Sequence, residues 1–367
     1  MILKKEELLK KLSFASRFIG SSFSTNALLS GILLKKEKKI LNFFSSNLNF
    51  YFHSFLNLDD TSNDDFEIIV EPKKIVDFLS YLTTSEVNFV IEEKKLIIKA
   101  GKNQGEFPFF SNKDFPLPPK IEEKKQEIKT DFLKENLSLV LFSCATDETR
   151  PVLTGVNFSE QEDSLLIVGT DGFRLSLLKI KKQISFPQVI IASTFLKEVL
   201  YFTATEEKVF FSYSEKEKMI YFKTGEVDLY SRIIEGTYPP FEKVIPTQEG
   251  KTKIVVEKDI FLQNLKLINV FTREFSNLVV FDIKKEGVYL RPKTEGKNEG
   301  NQSFFEAEVK GEEVKVAFNI RFLLDFLNHF QGKRVYFEVL RPDAPVVFKD
   351  EKREDFLHII MPVRIQE

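Results

Sequence analysis

The 367 residues include no tryptophan, one cysteine and three histidines. The single Cys144 excludes a disulfide framework and a thiolate metal cluster, and it suits a reducing compartment. His53, His329 and His358 are scattered along the chain, which argues against a multi-histidine metal site. Glycine (15) and proline (14) are scarce, and 43% of the residues are apolar, so the composition is globular rather than disordered. No apolar run approaches the ~20 residues of a membrane span. The opening MILKKEELLKK places charges where a secretory signal needs an apolar stretch, so a soluble, cytoplasmic protein is expected. The formal charge is −2, from 53 basic and 55 acidic residues, which leaves no whole-chain basic excess to mark a nucleic-acid binder.

Catalytic motifs are also missing. Neither GxxxxGK[ST] nor GxGxxG occurs, and neither GxSxG nor HExxH does. Asp171 sits in a T-D-G turn between apolar strands, where Asp and Gly are ordinary turn residues. Asp59, Asp60, Asp64 and Asp65 fall in the polar stretch NLDDTSNDDFE and read as a loop. His329 and His358 flank apolar elements and read as packing or surface residues. Cys144 lies on an apolar stripe and reads as core. No enzyme activity, cofactor or metal is expected.

What is present is a threefold repeat of about 120 residues. Three amphipathic helices open the units, with Leu8, Leu12, Ala15 and Ile19 on one stripe, then Leu133, Leu137, Val140 and Cys144, then Phe261, Leu265 and Ile268. In each unit a β-branched run later breaks at Pro72, Ser193 or Asn319 into a second helix. Strands of period two follow, such as VNFVIEEKKLIIKA, KVFFSYSEKEKMIYFKT and RVYFEVLRPDAPVVFKD. Helices are expected at 4–18, 72–82, 130–145, 194–203, 257–273 and 319–330. The domains are expected at 1–119, 127–243 and 251–367, separated by DFPLPPKIEEKKQE and TYPPFEKVIPTQEGK, which have linker composition. Each unit should pack two helices on one face of an antiparallel sheet, an α+β fold. The six helices carry thirteen basic and nine acidic residues, so they are weakly positive in an otherwise acidic chain. That bias fits either solvated helix faces or a surface for phosphates.

Several segments go beyond pattern. TRPVLTGVNF, GTDGFRLS and GTYPPFEKVIP resemble the central domain of the bacterial β sliding clamp and the stretch that follows it. FNIRFLLDFLNHF and the closing IIMPVRI are similar to its third domain, here with Gln366 and Glu367 added. The resemblance runs in order along the whole chain. It implies the DNA-clamp fold and a processivity role without catalysis: a head-to-tail homodimeric ring that encircles duplex DNA regardless of sequence and tethers the replicative polymerase. Partners implied are the clamp loader and the repair and mismatch proteins, all carrying a clamp-binding peptide.

Carried over by motif, the peptide pocket would comprise Leu153, Thr170, Gly172, Phe173, Arg174 and Leu175, then Pro239, Lys243 and Val244. Asn319 and Phe322, Pro345 and Val346, and the terminal Ile360, Met361, Pro362, Val363 and Arg364 would complete it. Residues past Pro362 are expected to add little to any sheet. Lys73 and Lys74 match the family's basic pair facing DNA, and Lys10, Lys11, Lys197, Lys266 and Arg321 join them by helix location. Phe107 and Phe109 on one side, and Val270 and Phe271 on the other, are expected at the dimer interface. Phe173 stands where the family commonly has His, Lys243 replaces an Arg, and Thr194 occupies a usually basic position. The loop IGSSFSTNALLSG lacks the usual Arg and Pro. These departures leave one alternative, a clamp-like scaffold that binds partner peptides without encircling DNA.

Overall fold

A computed structural model describes residues 1–20, 27–59, 64–110, 114–272, 277–293 and 300–364. Asp60, positions 21–26 of the first loop, and Ile365, Gln366 and Glu367 lie outside the described residues. The helices are α1 (Lys5–Ala15), α2 (Pro72–Tyr81), α3 (Thr130–Leu137), α4 (Ser193–Phe202), α5 (Lys258–Thr272) and α6 (Ile320–His329). Pro72 opens α2, where its missing N–H costs nothing. The Asn319 side chain accepts the Arg321 amide at 3.0 Å and caps α6. α1 packs beside α2, and α5 beside α6. Every strand pair among the described residues is antiparallel, and three α+β repeats are present as the periodicities predict.

The chain divides into two compact units, residues 1–130 with 198–233, and 131–197 with 234–367. The division cuts the middle repeat because that repeat shares a sheet with each neighbour. In the first unit, Val227–Arg232 pairs with Phe50–Asn57 inside a 12-stranded sheet. In the second, Arg174–Lys181 pairs with Arg353–Ile360 inside a 9-stranded sheet, and a separate 4-stranded sheet lies in the third repeat. A polar group reinforces the first seam. His53 Nδ1 lies 3.0 Å from Asp228 Oδ2, and the Tyr221 hydroxyl donates to Asp228 Oδ1 at 2.5 Å.

One helix expectation needs correction. The helix expected over 130–145 ends at Leu137, and a separate turn covers Leu141–Ser143. Leu139, Val140 and Leu141 are all buried, and one face of an α-helix cannot bury three successive side chains. The chain winds tighter instead, with the Val140 amide bonding to the Leu137 carbonyl. Gly169 lets the neighbouring strand approach this turn, since a Cβ there would lie 2.7 Å from the Val140 carbonyl oxygen. The linker segments also pack. Phe115 buries against Leu33 and Ile69, while Tyr238, Phe241 and Ile245 pack over Leu166, Val168, Leu175, Leu177, Val347 and Ile359.

Candidate functional site

Strand Ser164–Thr170 ends in a tight turn whose geometry the T-D-G-F-R sequence dictates. Thr170 Oγ1 donates to the Arg174 carbonyl at 2.6 Å and accepts the Gly172 amide at 3.1 Å. Asp171 Oδ1 accepts the amides of Phe173 and Arg174, which makes this carboxylate a turn-former. Gly172 has φ +90°, and a Cβ there would lie 2.9 Å from the Arg150 guanidinium. Arg150 in turn donates to the Asp171 carbonyl at 2.9 Å. The turn leaves Phe173 59% exposed.

Arg174 ties this turn to α6. Its Nε lies 3.0 Å from Asp171 Oδ2, its Nη1 lies 2.7 Å from Asp325 Oδ2, and its guanidinium sits 4.6 Å over the Phe322 ring. Phe322 and Phe173 lie nearly parallel with centroids 6.5 Å apart. Met361 and Val363 close the same region from the C-terminus. The Met361 amide donates to the Phe173 carbonyl at 2.8 Å, and the Val363 amide to the Ala317 carbonyl at 2.8 Å. Val363 therefore makes one isolated bridge to the strand Val314–Asn319, and the described segment after Pro362 adds no more than that to a sheet. Pro362 lacks an N–H, but the next residue still has one. Met361, Pro362 and Val363 are half-buried and Arg364 is exposed.

Thr170, Gly172, Phe173, Arg174, Asn319, Phe322, Met361, Pro362 and Val363 are thus connected by direct bonds, ring contacts or chain adjacency. Leu175 is buried under the linker, whose Pro239, Lys243 and Val244 are exposed around the turn Phe241–Val244. Leu153 is buried in the turn Pro151–Thr154, and Pro345 is half-buried beside Leu340 and Leu357. Val346 and Ile360 do not fit the set. They pair with each other, are fully buried, and alternate away from Val347 and Ile359, which share the linker-covered face with Leu175. Ile359 has the same parity as Met361, and that alternation was readable in the sequence; Val347 and Asp325 depend on pairing and helix packing that it does not show.

A second polar line runs through the core nearby. Ser143 Oγ lies 2.8 Å from Ser176 Oγ, which lies 2.9 Å from His358 Nδ1. All three residues are fully buried, so no substrate reaches them, and burial holds His358 well below the usual imidazole range. Burial also pushes the Cys144 thiol up to about 12, consistent with a core residue. No group of His, Cys, Asp and Glu among the described residues is placed to hold a metal ion.

Of the helix cations, Lys10, Lys73, Lys74, Lys197, Lys266 and Arg321 are exposed. Lys11 is not: its Nζ lies 2.8 Å from Ser54 Oγ and 2.6 Å from Glu226 Oε2, and the residue is buried. It falls three residues after Leu8 and one before Leu12, inside the apolar stripe of α1. Phe107 is likewise buried, its ring edge-on to Phe78 at 5.7 Å, so its contact is internal. Phe109 is half-buried, while Val270 (63%), Phe271 and the neighbouring Phe110 are exposed. No described helix is long and apolar enough to cross a membrane.

Comparison with known proteins is consistent along the full chain. Profiles of the DNA polymerase III beta subunit match in order: the N-terminal domain at residues 1–119, the central domain at 127–240 and the C-terminal domain at 242–364. The beta sliding clamp of Bacillus subtilis is 26% identical over 376 residues, covering 99% of this chain and 98% of that one. That of Synechocystis is 26% identical over 391 residues, covering 100% and 99%. Among solved structures, the DNA polymerase sliding clamp of Bacillus subtilis superposes with TM-score 0.89 at 25% identity, covering 100% of this chain and 99% of that one. The three-domain profile match and the full-length structural agreement place this chain in the bacterial DNA polymerase III β-subunit family, the β sliding clamps.

Proposed function

We propose that the protein is a polymerase processivity clamp that works in the cytoplasm as a head-to-tail homodimeric ring around duplex DNA. One observation carries the ring. The two seams inside the chain repeat one rule: the last strand of one repeat pairs antiparallel with the fourth strand of another. Val227–Arg232 meets Phe50–Asn57, and Arg353–Ile360 meets Arg174–Lys181. The same rule assigns Asn103–Phe110 of the first repeat to Ser303–Glu306 of the third. No pairing between these two strands is present among the described residues. Among the described residues, the first pairs from Asn103 to Pro108 only with Lys95–Ala100, and the second only with Gly287–Pro292. A second copy related by a half-turn would satisfy both open edges and close the assembly. The exposed Phe110, Val270 and Phe271 supply apolar area for that contact.

The exposed helix lysines would meet phosphates without reading bases. The surface around Phe173, Phe322 and Met361 would accept a short apolar peptide from the polymerase, clamp loader, or repair and mismatch proteins. Domain limits near 119, 127, 243 and 251 fit this division of labour. Retention on DNA tests the reading. A ring stays on a closed circle and slides off when the circle is cut. Equal retention on circular and linear DNA would favour the peptide-binding scaffold that does not encircle.

A further inference from the structure

On α1 and its continuing turn, Lys10, Phe14 and Arg17 follow at i, i+4 and i+7 and form one stripe. The Lys10 ammonium lies 5.5 Å over the Phe14 ring, and Phe14 meets Tyr201 edge-on at 6.2 Å. The Arg17 guanidinium lies 4.1 Å over Tyr201, which is 49% exposed. Such a line of cations and aromatics is what a polyanion surface uses. Arg17, however, is already engaged. Its Nε lies 2.5 Å from Glu198 Oε2 and its Nη2 lies 2.9 Å from Glu198 Oε1, a fork-to-fork pair. The hydrogen bond to Glu198 raises the Arg17 pKa further, so the arginine stays charged while its charge is cancelled locally.

We infer that Glu198 is an electrostatic mask on a DNA-facing arginine, holding Arg17 back from phosphates so that the clamp grips DNA loosely enough to slide. The inference rests on the processivity-clamp reading. An exposed ion pair adds little to folding stability, so stability alone gives this geometry a small return. A carboxylate on the Nε/Nη2 edge of the guanidinium offers the same bidentate pair of oxygens that a phosphate would. The Tyr201 ring, 4.1 Å from the guanidinium, adds a second contact that favours this placement. Glu198 and phosphate are then competitors for that edge.

The test uses the full-length dimer and a fluorescent duplex of about 30 base pairs, with anisotropy read from about 50 to 200 mM salt. Glu198→Gln keeps size and one acceptor but removes the charge. It should tighten binding about five-fold at the low-salt end and steepen the logarithmic salt dependence by about 0.9, one added phosphate contact. In an Arg17→Gln background the same change should give no gain. A gain of equal size in both backgrounds would reduce Glu198 to a diffuse negative charge and overturn the mask, as would no gain in either. Melting temperature and dimer mass should not move; a loss in either would make the pair a structural strut and also overturn the inference. Wild-type protein that binds no duplex at any salt would instead overturn the clamp reading itself.

Discussion

Asp228 shows how one residue can hold a seam. Burial alone would raise its pKa, but hydrogen bonds from His53 and Tyr221 and the charge of Lys223 outweigh that and hold the carboxyl at about 2. A carboxylate depressed in the folded state stabilises above its unfolded pKa, near 3.9, and the contribution fades as pH falls toward 2. Asp228→Asn should therefore cost about 2 kcal/mol at neutral pH, and the difference from wild type should shrink between about pH 4 and pH 2. Urea unfolding at a series of pH values measures it, and a gap independent of pH would show that lost packing, not charge, was responsible. Lys11 offers the opposite lesson. Type and helix placement suggest an exposed cation, yet its stem lies in the apolar stripe and its ammonium ends on Ser54 and Glu226.

At the scale of elements, the C-terminal segment is a strap, and under the proposed function it is also a pocket wall. The Met361 and Val363 amides anchor it at Phe173 and Ala317, so truncation removes hydrogen bonds as well as apolar surface. A point substitution separates the two. Met361→Ala leaves the backbone bonds and removes a half-buried side chain, for which about 1 kcal/mol, or roughly five-fold in affinity, is a fair scale. Titration of a fluorescent partner peptide should show that loss with the melting temperature unchanged. Deleting residues 361–367 should abolish peptide binding, leave the dimer intact and also lower the melting temperature. Unchanged affinity in both variants would make the segment a plain closing strand.

For the whole molecule, the open edges of residues 103–108 and Ser303–Glu306 predict a dimer of roughly 85 kDa, twice the 42.7 kDa chain. Sedimentation at micromolar concentration checks it, and a monomer there would contradict the closed ring. Lys73 and Lys74 are exposed on α2, so changing both to Glu should impair retention on DNA and reduce its salt dependence without unfolding the protein. An unchanged salt slope would place the DNA surface elsewhere.

By itself the sequence determined the threefold repeat, the α+β class, five of the six helices closely and the family. These follow from local rules: apolar spacing of 3.6 or 2, Pro72 at a helix start, Asn319 as a cap, and the turn chemistry of Thr170 to Arg174. Only the tertiary structure decided the shortening of α3, the burial of Lys11 and Phe107, and the face on which Val346 and Ile360 lie. It also decided that Asp325 would meet Arg174, and Glu198 would meet Arg17, across 151 and 181 residues of chain. Periodicity names the face a residue shares with its neighbours along an element. Which other element covers that face depends on pairings between distant segments, and no local pattern encodes them.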